Sequence, residues 1–161
     1  MNRSPAHFDP SGELVLLPIA ESMEENQTFI SIPDCIETLK MSVEYYHRIG
    51  YQPPWIGYFV QIGDQLVGSA GYKGPPREGR IEISYGVFEP FQNQGIGASI
   101  CRTLTRLALE SHPPVLVTAR TLPENNYSSR ILEKNGFRNR GIVIDPDDGP
   151  VWEWVYDQSK L

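Results

Sequence analysis

Apolar positions recur along this chain with two periods, and the places where the period changes divide it into short elements. Glu13 to Leu17 is an apolar run stopped by Pro18, which predicts a first strand. From Pro33 to Arg48 the residues Ile36, Leu39, Val43 and Tyr46 return every three or four positions, so a helix is expected, with Ser31 as its cap and Gly50 past its end. Trp55 to Ile62 and Gln65 to Tyr72 read as strands joined by the two-residue loop Gly63-Asp64, a hairpin. After the loop Gly74 to Gly79, the run Arg80 to Phe88 alternates, setting Glu82, Ser84 and Gly86 on one face and Ile81, Ile83 and Tyr85 on the other. Helical spacing resumes over Gly97 to Glu110, where Ile96, Ile100, Leu104, Leu107 and Ala108 form the buried stripe and Arg102, Thr105, Arg106 and Glu110 lie off it. Pro113-Pro114 leads into a strand Val115 to Arg120, then comes a helix ending at Asn135 with Gly136 as its left-handed cap. Ile142 to Ile144 and Val151 to Tyr156 close the chain as strands around the turn-rich Asp145 to Pro150.

This order of elements predicts an α/β (α+β) fold with a mixed sheet and helices on its faces. At 161 residues the chain is expected to form a single domain, residues 1–161, with a core that needs neither disulfides nor metal. No run reaches the roughly 18 apolar residues of a membrane span, and Met1 to Pro10 lacks a signal-peptide pattern, so a cytoplasmic protein without membrane attachment is expected. The net charge of -6 argues against nucleic acid as a partner and favours a cationic or amine ligand. Cys35 and Cys101 are expected to be buried thiols, and His7, His47 and His112 stand singly, so no metal is expected.

The stretch Gln92-Asn93-Gln94-Gly95-Ile96-Gly97-Ala98 places a glycine loop between a strand and a helix. Such a loop directs unpaired backbone amides, at the positive end of the helix dipole, toward a phosphate or pyrophosphate. Gly97 is followed by Ala98 and Ser99 rather than Lys and Ser/Thr, which excludes a P-loop. Ile100 stands where a dinucleotide fingerprint needs its third glycine, and the next strand ends in Arg120 rather than an acid, so that reading is weak.

Gln92, Gly95 and Gly97 fill the Gln/Arg-x-x-Gly-x-Gly/Ala signature of the acetyl-CoA site in the GNAT superfamily of N-acetyltransferases, which this chain resembles. A second block, Asn125 to Phe137, is similar to that family's Asn-x-x-Ser-x-x-x-Leu-Glu-Lys-x-Gly-Phe element. The resemblance is best to the branch that acetylates ribosomal-protein N-termini, and it runs from about Trp55 to the C-terminus. It implies a GNAT-like, centrally splayed β-sheet flanked by helices, with the cofactor in the gap between the strands Ile81 to Phe88 and Val115 to Arg120.

The same resemblance implies the site residues. Backbone amides from Gln94 through Gly95, Ile96 and Gly97 to Ala98 would hold the pyrophosphate, with Gly95 and Gly97 permitting close approach, so Gly97→Trp is expected to fill the cradle and leave the fold intact. Val87 and Phe88 would pair with pantetheine, the Val87 amide would face the thioester carbonyl, and Asn125 would contact a pantetheine amide or cap its helix. Glu82 is the candidate general base, set against an ordinary strand carboxylate. Glu133 stands where many relatives carry an acidic tyrosine, which leaves Ser128, Tyr127 or water to protonate the thiolate.

The reading is of an acetyl-CoA-dependent N-acetyltransferase that transfers acetyl directly to a primary amine, on a small molecule, a protein N-terminus or a lysine. The alternative is a catalytically inactive CoA-binding regulatory or interaction module. Tyr45, Tyr46 and Trp55 are candidate acceptor walls, and Glu21, Glu24 and Glu25 candidate anionic contacts, each weighed against a core or solvated role. A homodimer is left open.

Overall fold

The computed structural model describes residues 8–111 and 114–158; His7, His112, Pro113 and most of the polar N-terminal stretch lie outside them. The elements in order are β1 (Leu14–Pro18), a 3-10 turn running into the short α1 (Gln27–Ile30), α2 (Pro33–Ile49), β2 (Gly57–Ile62), β3 (Gln65–Tyr72), β4 (Arg80–Val87), α3 (Ile96–Leu109), β5 (Leu116–Thr121), α4 (Tyr127–Lys134), β6 (Phe137–Asp145) and β7 (Gly149–Tyr156). The seven strands form one sheet in the order β1-β2-β3-β4-β5-β7-β6, as the expected mixed α/β architecture requires. Every neighbouring pair is antiparallel except β4 and β5, which the crossover through α3 makes parallel.

Each face of the sheet buries its own cluster. On one face Ile81 and Ile83 of β4 and Val117 and Ala119 of β5 pack with Ile100 and Leu104 of α3, Leu132 of α4 and Trp154 of β7. On the other, Cys35, Leu39 and Tyr46 of α2 pack with Phe29, Ile56 and Phe59. A fully buried Leu such as Leu39 or Leu104 contributes about 1.5–3 kcal/mol by leaving water, so the two helical stripes hold α2 and α3 to opposite faces.

Several boundaries differ from the sequence expectation for local reasons. α2 takes its start from Pro33, with Ile32 as its unassisted cap, while Ser31 closes α1 instead. β2 begins at Gly57 because the amides of Trp55 and Ile56 are turned back onto Gln52 and Pro54 carbonyls. On α3, Leu107 is 40% exposed while Thr105 is buried with its hydroxyl on the Cys101 carbonyl, so the stripe is rotated slightly from the expected one. β6 is longer than Ile142 to Ile144, running from Phe137 through an irregularity after Asn139. Gly136 closes α4 at φ +86, and Gly63 turns the β2–β3 hairpin at φ +63, as expected.

Candidate active site

The strand β4 changes its partner along its length. β5 pairs with it from Arg80 to Ile83, whereas β3 follows it from Ile83 to Val87. Beyond Ala119, β5 continues on β7 alone, so the sheet opens between β4 and β5 from Ser84 onward. Alternate residues of an antiparallel strand direct their amide and carbonyl to the neighbour. Because Phe88 donates its amide to the Val67 carbonyl, Val87 and Tyr85 belong to the set that faces the opening. Phe88 has its amide on Val67 and its carbonyl on the Phe91 amide, so its backbone is engaged in the turn and does not line the opening as the sequence reading supposed.

The glycine loop closes the top of this opening. Asn93 at φ +63 and Gly95 at φ +79 turn the chain into α3, whose first bond runs from the Ser99 amide to the Gly95 carbonyl. The amides of Ile96, Gly97 and Ala98 precede that bond, and the N-cap residue, Gly95, has no side chain to cap them. Gln92 reaches back with Nε2 to the Val87 carbonyl at 3.0 Å, a strut that ties the loop to the open strand. Gly95 has open space where a Cβ would lie and is glycine for its backbone angle. Gly97 is glycine for a different reason from the one expected: a Cβ there would stand 2.6 Å from Ile131 Cδ1 and 3.0 Å from the Tyr127 hydroxyl. A tryptophan at this position therefore disrupts the contact between α3 and α4, and Gly97→Trp does not leave the fold intact.

The start of α4 borders the same opening. Asn126, not Asn125, caps the helix, accepting from the Ser129 amide at 2.9 Å while the Ser129 hydroxyl accepts from the Asn126 amide. Asn125 is thereby released from capping and is exposed. Ser128 is half-buried in the first turn, and Tyr127, 37% exposed, lies against Gly97 beside the α3 amides. Arg130 points to solvent.

On the opposite face of β4 lies a cleft of about 500 Å³, bounded by Ser42 and Tyr45 of α2, Ser69, Gly71 and Ser84 of the sheet, Lys73, and Asp147 and Asp148 of the β6–β7 turn. Gly57, Gly71 and Ser84 stand in register across three strands and give the cleft a floor of small residues. Ser84 is also the first residue of the open stretch of β4, so the cleft and the opening meet there. Of the candidate walls only Tyr45 lines the cleft. Tyr46 is buried, its hydroxyl donating to the Ile19 carbonyl and accepting from the Gly57 amide, and Trp55 lines a separate apolar cavity of about 240 Å³ with Leu16, Tyr72 and Leu107. Glu21, Glu24 and Glu25 are not among the residues that line the cleft.

Glu82 stands beside the cleft with its carboxylate 17% exposed, within a network that the sequence did not reveal. Lys73 Nζ is 3.0 Å from its Oε2 and Arg120 Nε is 3.8 Å from its Oε1. Arg120 also holds Asp145 at 3.0 Å and Glu153 at 3.2 Å, and Arg80 holds the other oxygen of Glu153. Burial is the largest influence on Lys73 and works against its charge, but the Glu82 carboxylate, joined by Asp145 and Tyr45, outweighs it and raises the ammonium above its ordinary value. For Arg120 burial is again the largest influence and again loses to its carboxylate partners, so it too is raised. A water or amine approaching Glu82 must share its oxygens with these two cations. Lys73 lies opposite Glu82 because its amide donates to the Glu82 carbonyl where β3 runs out beside β4, and Arg120 and Asp145 join them through pairings between distant strands.

The two thiols are buried as expected, Cys35 pushed up to about 11 by burial and then by Asp34, and Cys101 to about 12 by burial. Among the described residues no group of three metal-ligating side chains occurs, and no helix is long and apolar enough to cross a membrane.

The sequence model of the acetyltransferase (GNAT) domain matches residues 17–138, beginning well before Trp55, where the motif resemblance started. No curated protein matches the sequence. Among solved structures, RimL, a ribosomal L7/L12 alpha-N-protein acetyltransferase in complex with coenzyme A, superposes with a TM-score of 0.64 at 16% identity over 91% of this chain and 95% of its own. The aminoglycoside acetyltransferase AAC(6')-Ib with coenzyme A and kanamycin gives 0.66 at 18% identity, covering 91% and 96% of the two chains. A spermidine N-acetyltransferase chimera of SpeG from Vibrio cholerae and hSSAT gives 0.68 at 14% identity, covering 92% and 98%. These likenesses match the splayed sheet to known acetyltransferase folds, and with the domain match over most of its length the chain belongs to the GNAT acetyltransferase family.

Proposed function

We propose that this protein transfers acetyl from acetyl-CoA directly to a primary amine held in the cleft between α2 and the sheet. The observation that carries the reading is the meeting, at Ser84, of the open edge of β4 with that cleft, beneath a helix terminus whose N-cap is a glycine. The residues fit acetyl-CoA: the Ile96, Gly97 and Ala98 amides suit its pyrophosphate, and the outward edge of Tyr85 and Val87 suits pantetheine. Acetyl-CoA supplies the acetyl group, whose carbonyl carbon bonds to the amine nitrogen as its bond to sulfur breaks. The Val87 amide donates to the carbonyl oxygen as charge gathers there. Glu82 accepts the amine proton through a water, since Lys73 and Arg120 already adjoin its oxygens. The departing thiolate, with an ordinary pKa of about 8.5, is a tolerable leaving group and takes its proton from Ser128, Tyr127 or water. Buried, undissociated Cys35 and Cys101 offer no carrier for an acyl-enzyme, which supports direct transfer.

The acceptor classes to test are those of the structural neighbours: a polyamine, an aminoglycoside and a protein N-terminus. The ion pairing of both Glu82 oxygens favours a second reading, a CoA-binding module without transfer. The experiment is thermal unfolding with acetyl-CoA, CoA, ATP and NAD in parallel, where a ligand at about 100 times its dissociation constant adds roughly 2.7 kcal/mol of stability. It is followed by thiol release from acetyl-CoA with spermidine, kanamycin and a free N-terminal peptide. A selective shift with thiol release supports transfer, a shift without release supports the module, and no shift defeats both.

A further inference from the structure

The carboxylate of Asp145, at the end of β6, has no part in the transfer described above, yet it touches two of the structures that transfer requires. Only 5% exposed, it accepts with Oδ1 from the amides of Asp147 at 2.9 Å and Asp148 at 3.1 Å. Those bonds fix the β6–β7 turn, and the turn is one wall of the cleft. Its other oxygen, Oδ2, accepts from Arg120 Nη1 at 3.0 Å, and Arg120 Nε stands 3.8 Å from Glu82. Burial alone would raise the Asp145 carboxyl, but the two turn amides and the Arg120 guanidinium outweigh it and hold the group below its ordinary value. An anion is therefore fixed at this junction at neutral pH. Glu153 also binds Arg120, at 3.2 Å, and its other oxygen pairs with Arg80 rather than with the turn. It offers a natural separation of the two contacts.

We propose that Asp145 is a positioning residue for acetyl transfer: it sets the acceptor-facing turn with one oxygen and, through Arg120, the placement of Glu82 with the other. Acceptor binding and proton removal thereby share one anchor. This rests on the acetyltransferase reading given above.

The test is steady-state thiol release by the full chain, with acetyl-CoA and spermidine, kanamycin or a free N-terminal peptide, for wild type, Asp145→Asn, Asp145→Ala and Glu153→Gln. Asparagine keeps an oxygen for the two turn amides and removes the anion facing Arg120, so kcat falls about tenfold while the acceptor KM stays within about twofold. Alanine removes both contacts, so the same fall in kcat is joined by a rise in acceptor KM of about fivefold or more. Glu153→Gln lowers kcat without moving the acceptor KM, and acetyl-CoA KM holds in all three. Equal changes in both parameters for Asp145→Asn and Asp145→Ala, or wild-type kcat in Asp145→Asn, overturn the proposal. If neither Asp145 variant folds, Arg120→Lys decides, since it keeps a cation and removes the guanidinium that joins Asp145 to Glu82, and wild-type kcat in that variant overturns the proposal. Wild-type protein that releases no thiol with any of the three amines defeats the transferase reading itself; wild-type turnover with unshifted variants defeats only the role of Asp145.

Discussion

At the top of the β4–β5 opening the protein presents backbone: the Ile96, Gly97 and Ala98 amides and the free edge of Tyr85 and Val87. Across β4, the cleft is bounded by side chains contributed by α2, three strands and the β6–β7 turn, with the Lys73–Glu82–Arg120–Asp145 network at its side. The first region comes from one loop and the strand it follows, and the second from residues scattered from Ile19 to Asp148. A backbone site tolerates varied side chains as long as the turn angles and helix packing hold. A side-chain site depends on each charge keeping its partner, because an uncompensated buried charge is costly.

The largest expected effect separates the two glycines of the donor side. Gly97→Trp drives its side chain into Ile131 and Tyr127, and a loss of about 3 kcal/mol or more in chemical denaturation is expected, together with acetyl-CoA binding. Gly95→Ala meets open space and is strained only in its backbone angle, so it costs about 1 kcal/mol in the same measurement. Equal losses from the two would mean that Gly97 does not hold α4.

On the acceptor side, Arg120→Met strands Asp145 and Glu153 without their shared cation. A destabilisation of roughly 3 kcal/mol, read by urea unfolding, is the expected result; a neutral outcome would show that the network is solvated. Glu82→Gln, by contrast, is expected to lower kcat about a hundredfold while acetyl-CoA still shifts the melting temperature. An unchanged rate and pH profile would remove Glu82 from the chemistry.

The pH dependence of stability sharpens the contrast further through two groups of the acceptor side, Asp145 and Lys73. Asp145 is held below its ordinary 3.8, so its contribution is fully present above that pH and is lost as pH falls through the lower folded value. Lys73 is held above 10.5, so its contribution is present below that pH and is lost as pH rises through the higher folded value. Melting scans should therefore steepen at both extremes, with Asp145→Asn flattening the acid limb and Lys73→Met the alkaline limb. Variants whose limbs match wild type would contradict the assignment. The smallest effect is expected at the cleft mouth, where Arg48 and Asp147 form an exposed pair at 3.5 Å: Arg48→Ala should change stability by less than about 1 kcal/mol by thermal unfolding.

The same contrast explains which parts of the site were legible. Gln92 to Ala98 and Asn125 to Phe137 are contiguous, and their turns, caps and helix starts follow from local residue preferences, so the opening's upper border could be read directly. Even there, local reading mistook the purpose of Gly97 and offered Asn125 as the alternative cap of α4 where Asn126 serves, because packing across helices and the choice between two adjacent asparagines are decided in three dimensions. Tyr46 and Trp55 stayed open between two roles for a related reason: an aromatic suits a cleft wall or a core equally, and the packing of α2 on β2 sent Tyr46 inward, as its place on the helical stripe allowed.

By itself the sequence determined the succession of elements, the parity that sets Glu82 opposite Ile81 and Ile83, and the glycine turn that opens α3, because periodicity and backbone preference act over a few residues. Only the tertiary structure decided where β4 parts from β5, which small residues lie in register to form the cleft floor, and which charges surround Glu82. Those features arise from strand pairing between segments far apart in the chain, and the register of such pairing is fixed by the packing of the whole sheet.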